Sequence, residues 1–492
     1  MKVLVNKIYN KLEYIFENKL FLVLCALLIS FFWAANCSVS LLYRGESGTD
    51  SSVFRYVAYA MSNGQIPYKD IFDHKGPLLY LINYIGYLID EEIGVWFFEY
   101  LALLITTVFI FAISKISCKH NLKAALTTFA SLSLLCLYFD GGNLTEEYAM
   151  PLIAISLYIF LDYFRNDKTT RIKLIICGLC GGCVLMLRPN MAVAWLVFPV
   201  FILIKQISNK KIKELLEECI LFLAGVIIAV IPFIIYFIYT NSLQDFWNVY
   251  LIFNAEYSDS QGSIMGILHS IYSFSNPFLI ISIITLLVCI YKRNNLFLNT
   301  VYMVFMLMSL LALSISGRQY GHYGMVLIPV VAYPLATLLA NYKKNMFSTV
   351  ALCSSLIIIC ATYYVRPTHN LYTHILKNDG VSETIEEVSD YVKTYTKEED
   401  RILVIGNEDI LYLECDRLCA SKYSYQLPIA NIRTEIYDEL YEEIQNDNPA
   451  AIIVTVGNED FYGLENYLYE NEYTEVMSNE EYTVYQQIDD LR

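Results

Sequence analysis

Apolar runs recur along this chain near 20–43, 94–114, 122–139, 147–164, 172–187, 190–205, 217–240, 275–291, 297–316, 323–340 and 346–364, eleven in all. A helix crosses the hydrocarbon of a bilayer with about 17–25 apolar residues, so the runs predict a polytopic α-helical membrane protein of about eleven transmembrane helices. One soluble domain is excluded by the same count, since 56% of the residues are hydrophobic, 17% are charged and the mean hydropathy is +0.44. The run Leu78–Ile89 is too short to cross and stops at Asp90-Glu91-Glu92, so it reads as a helix lying in the interface. With that run left out and the N-terminus inside, the basic clusters Lys2/Lys7/Lys11/Lys19, Lys115/Lys119/Lys123, Arg165/Lys168/Arg171/Lys173, Lys205/Lys210/Lys211/Lys213, Lys292/Arg293 and Lys343/Lys344 all fall on the cytoplasmic side. The positive-inside rule asks for that arrangement. No small-residue cleavage site follows the first apolar run, which reads as an anchor.

The first external stretch, Gly45–Asn83, interrupts this apolar pattern with Asp50, Asp70, Asp73, His74 and Lys75. Charge beside a bilayer is expensive unless paired or functional. Val53, Phe54, Val57, Ala60 and Met61 recur at helical spacing after Thr49-Asp50, and Gly76-Pro77 opens a second short helix, so two in-plane helices frame the polar link 65–75. The topology brings four further segments to the same face: DGGNLTEEY at 140–148, Arg188-Pro189-Asn190, the stretch 241–276 and SGRQYGHY at 316–323. They supply Asp140, Glu146, Glu147, Arg188, Arg318 and His322.

From about Arg366 the composition turns polar. Residues 366–492 hold 28 acids and 9 bases, so the net charge of −15 arises entirely in this part. We therefore divide the chain into a membrane domain, 1–365, and a small acidic extracytoplasmic α/β domain, 366–492. In the latter, helical spacing at Val381/Ile385/Val388/Val392 and Ile436/Leu440/Ile444 alternates with strand-like RILVI at 401–405 and AAIIVTV at 450–456, predicting a partly parallel sheet. Both strands run into Gly-Asn-Glu-Asp, at 406–409 and 457–460, which suits a turn and also the ligand-binding edge of a parallel sheet. So acidic a surface excludes nucleic acid or anionic lipid as its partner. The thirteen cysteines mostly lie within or beside spans and read as small apolar residues; only Cys415 and Cys419 suggest a disulfide.

Gathered at one membrane surface, these residues form carboxylates beside cations, with tyrosines around them. A carboxylate can take the proton of a hydroxyl nucleophile or hold a divalent ion, while Lys and Arg neutralise a departing phosphate. The pattern Asp50 followed by GQIPYKDIFDHKGPLLY at 64–80 resembles the first external loop of GT-C fold glycosyltransferases, among them the protein O-mannosyltransferases and the lipid A aminoarabinose transferase. DGGNLTEEY and the Arg318/His322 pair resemble that family less closely. The resemblance implies an inverting transfer of sugar from a polyprenyl-phosphate donor, at the outer face of the cell membrane, to a surface glycan, lipid or protein acceptor. It implies Asp50 as catalytic base, with Asp140, Glu146 or Glu147 as the acid of the next loop. It also implies Lys75 on the donor phosphate, joined by Arg188, Arg318 and His322, and loop support from Asp73, His74, Tyr68, Tyr80 and Tyr320. Ser51 stands where many relatives carry a second acid, which leaves open whether a divalent cation (Mg or Mn) binds, through Asp50 if at all. Gly76 replaces a family proline, which is expected to loosen the turn aiming Lys75.

Plainer readings compete at each position. Asp50 also suits a helix cap, Asp73 and His74 a solvated loop, Arg188 a snorkelling anchor, and Arg318/His322 a helix end. Interfacial belts account for most tyrosines. A carrier or flippase of lipid-linked saccharides is the alternative function, although the chain shows no paired repeat in its membrane part and no Walker-type GxxxxGK.

Overall fold

The computed structural model describes residues 2–40, 42, 49–91, 93–259, 263–341, 346–377 and 381–487. Residues 45–48 of the stretch Gly45–Asn83, Glu92 and the Lys343/Lys344 pair lie outside them.

The membrane part is a helical bundle whose helices follow the apolar runs, with fewer uninterrupted spans than the eleven expected. Among the described residues five helices are long and apolar enough to cross: Gly94–Ser117, Asn121–Tyr138, Thr145–Asn166, Ile212–Tyr239 and Leu296–Ser314. Three bent pairs raise the number to at most eight, with breaks of 88° at Tyr9–Phe16 + Lys19–Ala34, 93° at Ile264–Phe274 + Pro277–Tyr291 and 43° at Gly321–Val330 + Ala332–Ala340. The runs at 172–187 and 190–205 form helices of only 15 and 16 residues, Arg171–Leu185 and Val193–Ser208. At 1.5 Å per residue each is about 23 Å long, short of a bilayer core of about 30 Å.

Close packing compensates for the shortness of Arg171–Leu185. A Cβ added at Gly178 would lie 1.9 Å from the Phe222 carbonyl oxygen, and one at Gly225 would lie 2.1 Å from that of Ile175. Small residues let two backbones approach where lipid supplies no hydrophobic drive. Cys177 and Cys180 are buried in the same helix as packing groups.

Two short helices follow the first span, Thr49–Ser62 and Pro77–Ile89, the second opening with Pro77 behind Gly76. They are joined by a loop in which Pro67 bridges Ile71 and Tyr68 adopts φ 70°.

Beyond the bundle, helices surround a five-stranded sheet of β1 (Arg401–Ile405), β2 (Leu418–Cys419), β3 (Ala451–Thr455), β4 (Tyr473–Ser478) and β5 (Tyr482–Gln487), in the order β2-β1-β3-β5-β4. β1 runs parallel to β2 and β3, while β5 is antiparallel to β3 and β4. Both faces of β1 and β3 are buried, which explains their continuous apolar sequence. Cys415 and Cys419 are free thiols, not a disulfide.

This α/β unit rests on the helix Thr49–Ser62 and the loop after it. The Tyr56 ring lies 4.7 Å from that of Tyr412, and the Tyr56 hydroxyl oxygen accepts from the Cys419 amide at 2.9 Å. The Phe72 amide donates to the Lys422 carbonyl at 2.7 Å.

Candidate active site

The loop between the two short helices folds around one buried carboxylate. Asp73, 2% exposed, accepts from the hydroxyls of Tyr80 and Tyr425 and from the His74 amide, each at 2.8 Å. Burial, then Lys75, Arg188 and Arg318, push the His74 ring well below its usual pKa, so it is neutral. Its Nε2 lies 3.4 Å from the Lys75 ammonium and its Nδ1 lies 3.3 Å from the Tyr425 oxygen. One tautomer satisfies both contacts: Lys75 donates to Nε2, Nδ1–H donates to Tyr425, and Tyr425 donates to Asp73. The chain of hydrogen bonds is thereby directed from cation to carboxylate.

Lys75 is held from several sides. Its carbonyl accepts from Tyr68 at 2.7 Å, and Asn254 donates to the preceding carbonyl, that of His74, at 2.6 Å. Burial opposes its ammonium, but Asp50 and then Asp73 outweigh burial and raise the Lys75 pKa above the usual lysine value. Asn254 follows a π-helical segment, Trp247–Phe253, whose Phe253 and Tyr250 pack against His74 and Tyr68.

Gly76 tightens this turn, contrary to expectation. Its N–H donates to Leu187 at 3.1 Å, and a Cβ there would lie 2.1 Å from the Met186 oxygen. Proline could make neither contact.

The segment 140–148 separates the three acids that sequence left open. Asp140, largely exposed, is 3.2 Å from His322 Nδ1, and that contact, against partial burial, holds its carboxyl below the usual range. Glu146 is buried and binds Arg188 at 2.5 Å and the Thr145 hydroxyl at 2.7 Å. Glu147 turns away: it accepts from the Asn143 amide at 2.9 Å and lies among Cys37 and Glu99. Asn143 fixes the loop by exchanging amide hydrogen bonds with Asn83 at 3.0 and 2.8 Å and donating to Ser51 at 3.1 Å. Ser51, found where relatives carry an acid, thus anchors that loop.

These elements enclose a cavity of about 270 Å³. Asp50, Asp73, His74, Lys75, Asp140, Tyr320 and His322 line it, as do Tyr257, Tyr323, Asn407, Tyr425 and Pro428. Arg188 and Arg318 stand behind its tyrosines, their guanidinium carbons 3.8 Å from the Tyr323 ring and 3.6 Å from the Tyr257 ring. Arg318 Nε is buried and meets no acceptor among the described residues. A larger cavity, about 640 Å³, at the other ends of the helices, is lined by Arg165, Lys205 and four asparagines and holds no carboxylate.

Sequence reasoning missed Tyr257, Tyr323, Asn407 and Tyr425. Asn407 had a signal, as the residue after the glycine that ends a parallel strand. Tyr425 had none, because its place depends on docking of the α/β unit. As for a cation, no three His, Cys, Asp or Glu ligand atoms around the cavity lie within 4.8 Å of one another among the described residues, and Asp50 and Asp73 both act on the Lys75 ammonium as counter-charges.

A family profile described as putative competence-induced protein Ccs4 N-terminal domain matches residues 9–375. Among solved structures the chain is similar to ArnT from Cupriavidus metallidurans bound to undecaprenyl phosphate, with TM-score 0.59 and 13% identity over 95% of this chain and 97% of that one. The apo state of the same protein gives TM-score 0.58 and 11% identity, covering 96% and 98%. The Archaeoglobus fulgidus oligosaccharyltransferase tethered to an acceptor peptide gives 0.53 and 11%, covering 90% of this chain and 70% of that one. No curated protein matches by sequence. At such identities the likeness shows the fold, which is the GT-C fold of these glycosyltransferases.

Proposed function

We propose that this chain, which belongs to the putative competence-induced protein Ccs4 N-terminal domain family, is an inverting membrane glycosyltransferase that moves a sugar from a polyprenyl-phosphate donor to an acceptor hydroxyl at the extracytoplasmic face. The observation that carries the reading is the meeting of Asp50, Lys75, Asp140 and His322 around one cavity, with Arg188 and Arg318 on its tyrosines. The undecaprenyl phosphate bound to ArnT supports a lipid phosphate as the group those cations serve here.

Asp50 accepts the acceptor's hydroxyl proton as the new bond to the sugar's anomeric carbon forms on one face and the bond to phosphate oxygen breaks on the other. The polyprenyl phosphate leaves with the bonding pair. Lys75 meets the growing phosphate charge, with Arg318 Nε as a second donor. Glu146 occupies Arg188 and Asp140 orients His322, so these two acids position the donors beside the cavity. Such a division suits a donor whose lipid stays in the bilayer, an acceptor that is a surface glycan, lipid or protein, and an acidic extracytoplasmic domain beginning near 366.

The test is to incubate the purified protein with a panel of undecaprenyl-phosphate sugars and follow release of free undecaprenyl phosphate. One donor is expected to be consumed, and Asp50→Asn to lower that rate by about 10²–10⁴-fold with donor binding retained. Turnover undiminished in Asp50→Asn would return Asp50 to a helix cap and end the proposal.

A further inference from the structure

Behind the second external loop lies a second group of acids that the transfer chemistry does not use. Cys37, just past the helix Lys19–Ala34, Glu99 in Gly94–Ser117 and Glu147 at the start of Thr145–Asn166 are each 0% exposed. The Cys37 sulfur and one oxygen of each carboxylate lie within 4.8 Å of one another. The Asn143 amide serves Glu147 Oε2, which leaves both oxygens of Glu99 and Oε1 of Glu147 without a hydrogen bond from outside the cluster. Glu99 is therefore a wholly buried, unpartnered carboxylate aimed at a thiol and a second carboxylate. Burial of a bare carboxylate costs several kcal/mol, so either a retained proton or a bound cation neutralises it. Gly142 keeps the space open: a Cβ at that position would lie 2.5 Å from Glu99 Oε1 and 3.0 Å from the Cys37 sulfur.

We propose that Cys37, Glu99 and Glu147 bind a divalent transition cation, zinc by ligand type, as a structural clasp under the active-site loop. A thiolate with two carboxylates suits zinc, whose bonds to sulfur of about 2.3 Å and to oxygen of about 2.0–2.2 Å need only a small contraction of the cluster. Water takes the fourth position. The charge balances: zinc enters as the thiol proton and the proton shared by the two carboxyls leave for solvent, so the cluster carries the same net charge before and after. Exchange of two protons for one cation makes the affinity fall about 100-fold for each unit drop in pH. The clasp joins three helices beneath the loop that carries Asp140. Ser38, next to Cys37, donates to that loop's Gly141 carbonyl through its amide at 2.7 Å and its hydroxyl at 2.9 Å.

The test uses the full chain in detergent, freed of any affinity tag. After equilibration with Zn²⁺ and gel filtration, elemental analysis is expected to find one zinc per chain, and Zn²⁺ to raise the melting temperature, both more strongly at pH 7.5 than at pH 5.5. Glu99→Gln and Cys37→Ser should lose both effects. Should those variants fail to fold, Co²⁺ added to the unaltered protein supplies the second reading, as a thiolate-to-cobalt charge-transfer absorption. Absence of that absorption, or zinc content in the unaltered protein no higher than in Glu99→Gln, overturns the proposal in favour of a carboxyl pair that shares a proton. Neither outcome bears on sugar transfer, which is measured separately.

Discussion

Lys75 is the residue on which the first loop converges, and its environment sets the expected result of removing it. A hydrogen bond to a charged group contributes about 1.5–3 kcal/mol, so Lys75→Ala should weaken donor binding by about 10–100-fold, measured as the apparent affinity for the undecaprenyl-phosphate sugar that is turned over. Unchanged affinity would remove its phosphate role. Gly76→Pro removes the N–H that serves Leu187 and forces ring atoms towards the Met186 oxygen. The variant should melt at lower temperature by an amount equivalent to roughly 1–3 kcal/mol, whereas a loosened turn in the unaltered chain would make proline neutral or stabilising. Asp50, Asp73 and Lys75 were legible because they crowd one short polar segment between apolar runs. The separate fates of Asp140, Glu146 and Glu147 were not, since three acids within eight positions offer no sequence signal for which faces His322, which faces Arg188 and which turns inward.

The two short helices could be read from periodicity, and the strands β1 and β3 from short continuous apolar runs that end in Gly-Asn. The β4–β5 hairpin escaped because its strands, YTEVMS and YTVYQQ, mix tyrosine and threonine with few aliphatic residues, and the alternation of β5 appears only as burial, with Tyr482, Val484 and Gln486 turned inward. Apolar length likewise does not reveal where a helix is interrupted, as at residues 275–276 and 331, or where it ends early against a neighbour. At this scale the seat of the α/β unit on Thr49–Ser62 is testable. Tyr56→Phe leaves the buried Cys419 amide without its acceptor, which should cost about 1–3 kcal/mol. Hydrogen exchange at Cys419 should accelerate accordingly, and unchanged protection would show that the contact contributes nothing to docking.

Across the whole molecule, charge is divided between a weakly cationic bundle and an acidic unit set on the helix Thr49–Ser62 and the loop after it. Asp409 lies close to that junction, wholly buried, with Oδ2 accepting from Ser424 at 2.6 Å. Burial first, then Asp73 and Glu408, outweigh the Ser424 hydrogen bond and push this carboxyl up to about 7. Folding therefore favours its protonated form, and the stability it lends is present below the ordinary carboxylate value of 3.8 and lost as pH climbs through about 7. Asp409→Asn should remove that loss, stabilising the protein at pH 8 by up to about 4 kcal/mol and flattening the melting temperature between pH 5 and 8. An equally steep profile in the variant would assign the pH response elsewhere. The hydroxyl of Tyr425 that completes the hydrogen-bond chain from Lys75 to Asp73 lies some 350 positions along the chain from its partners. A ribosome that has delivered only the helices has not yet made the chamber's last wall, so the pocket is complete only once the tail has emerged and folded onto it.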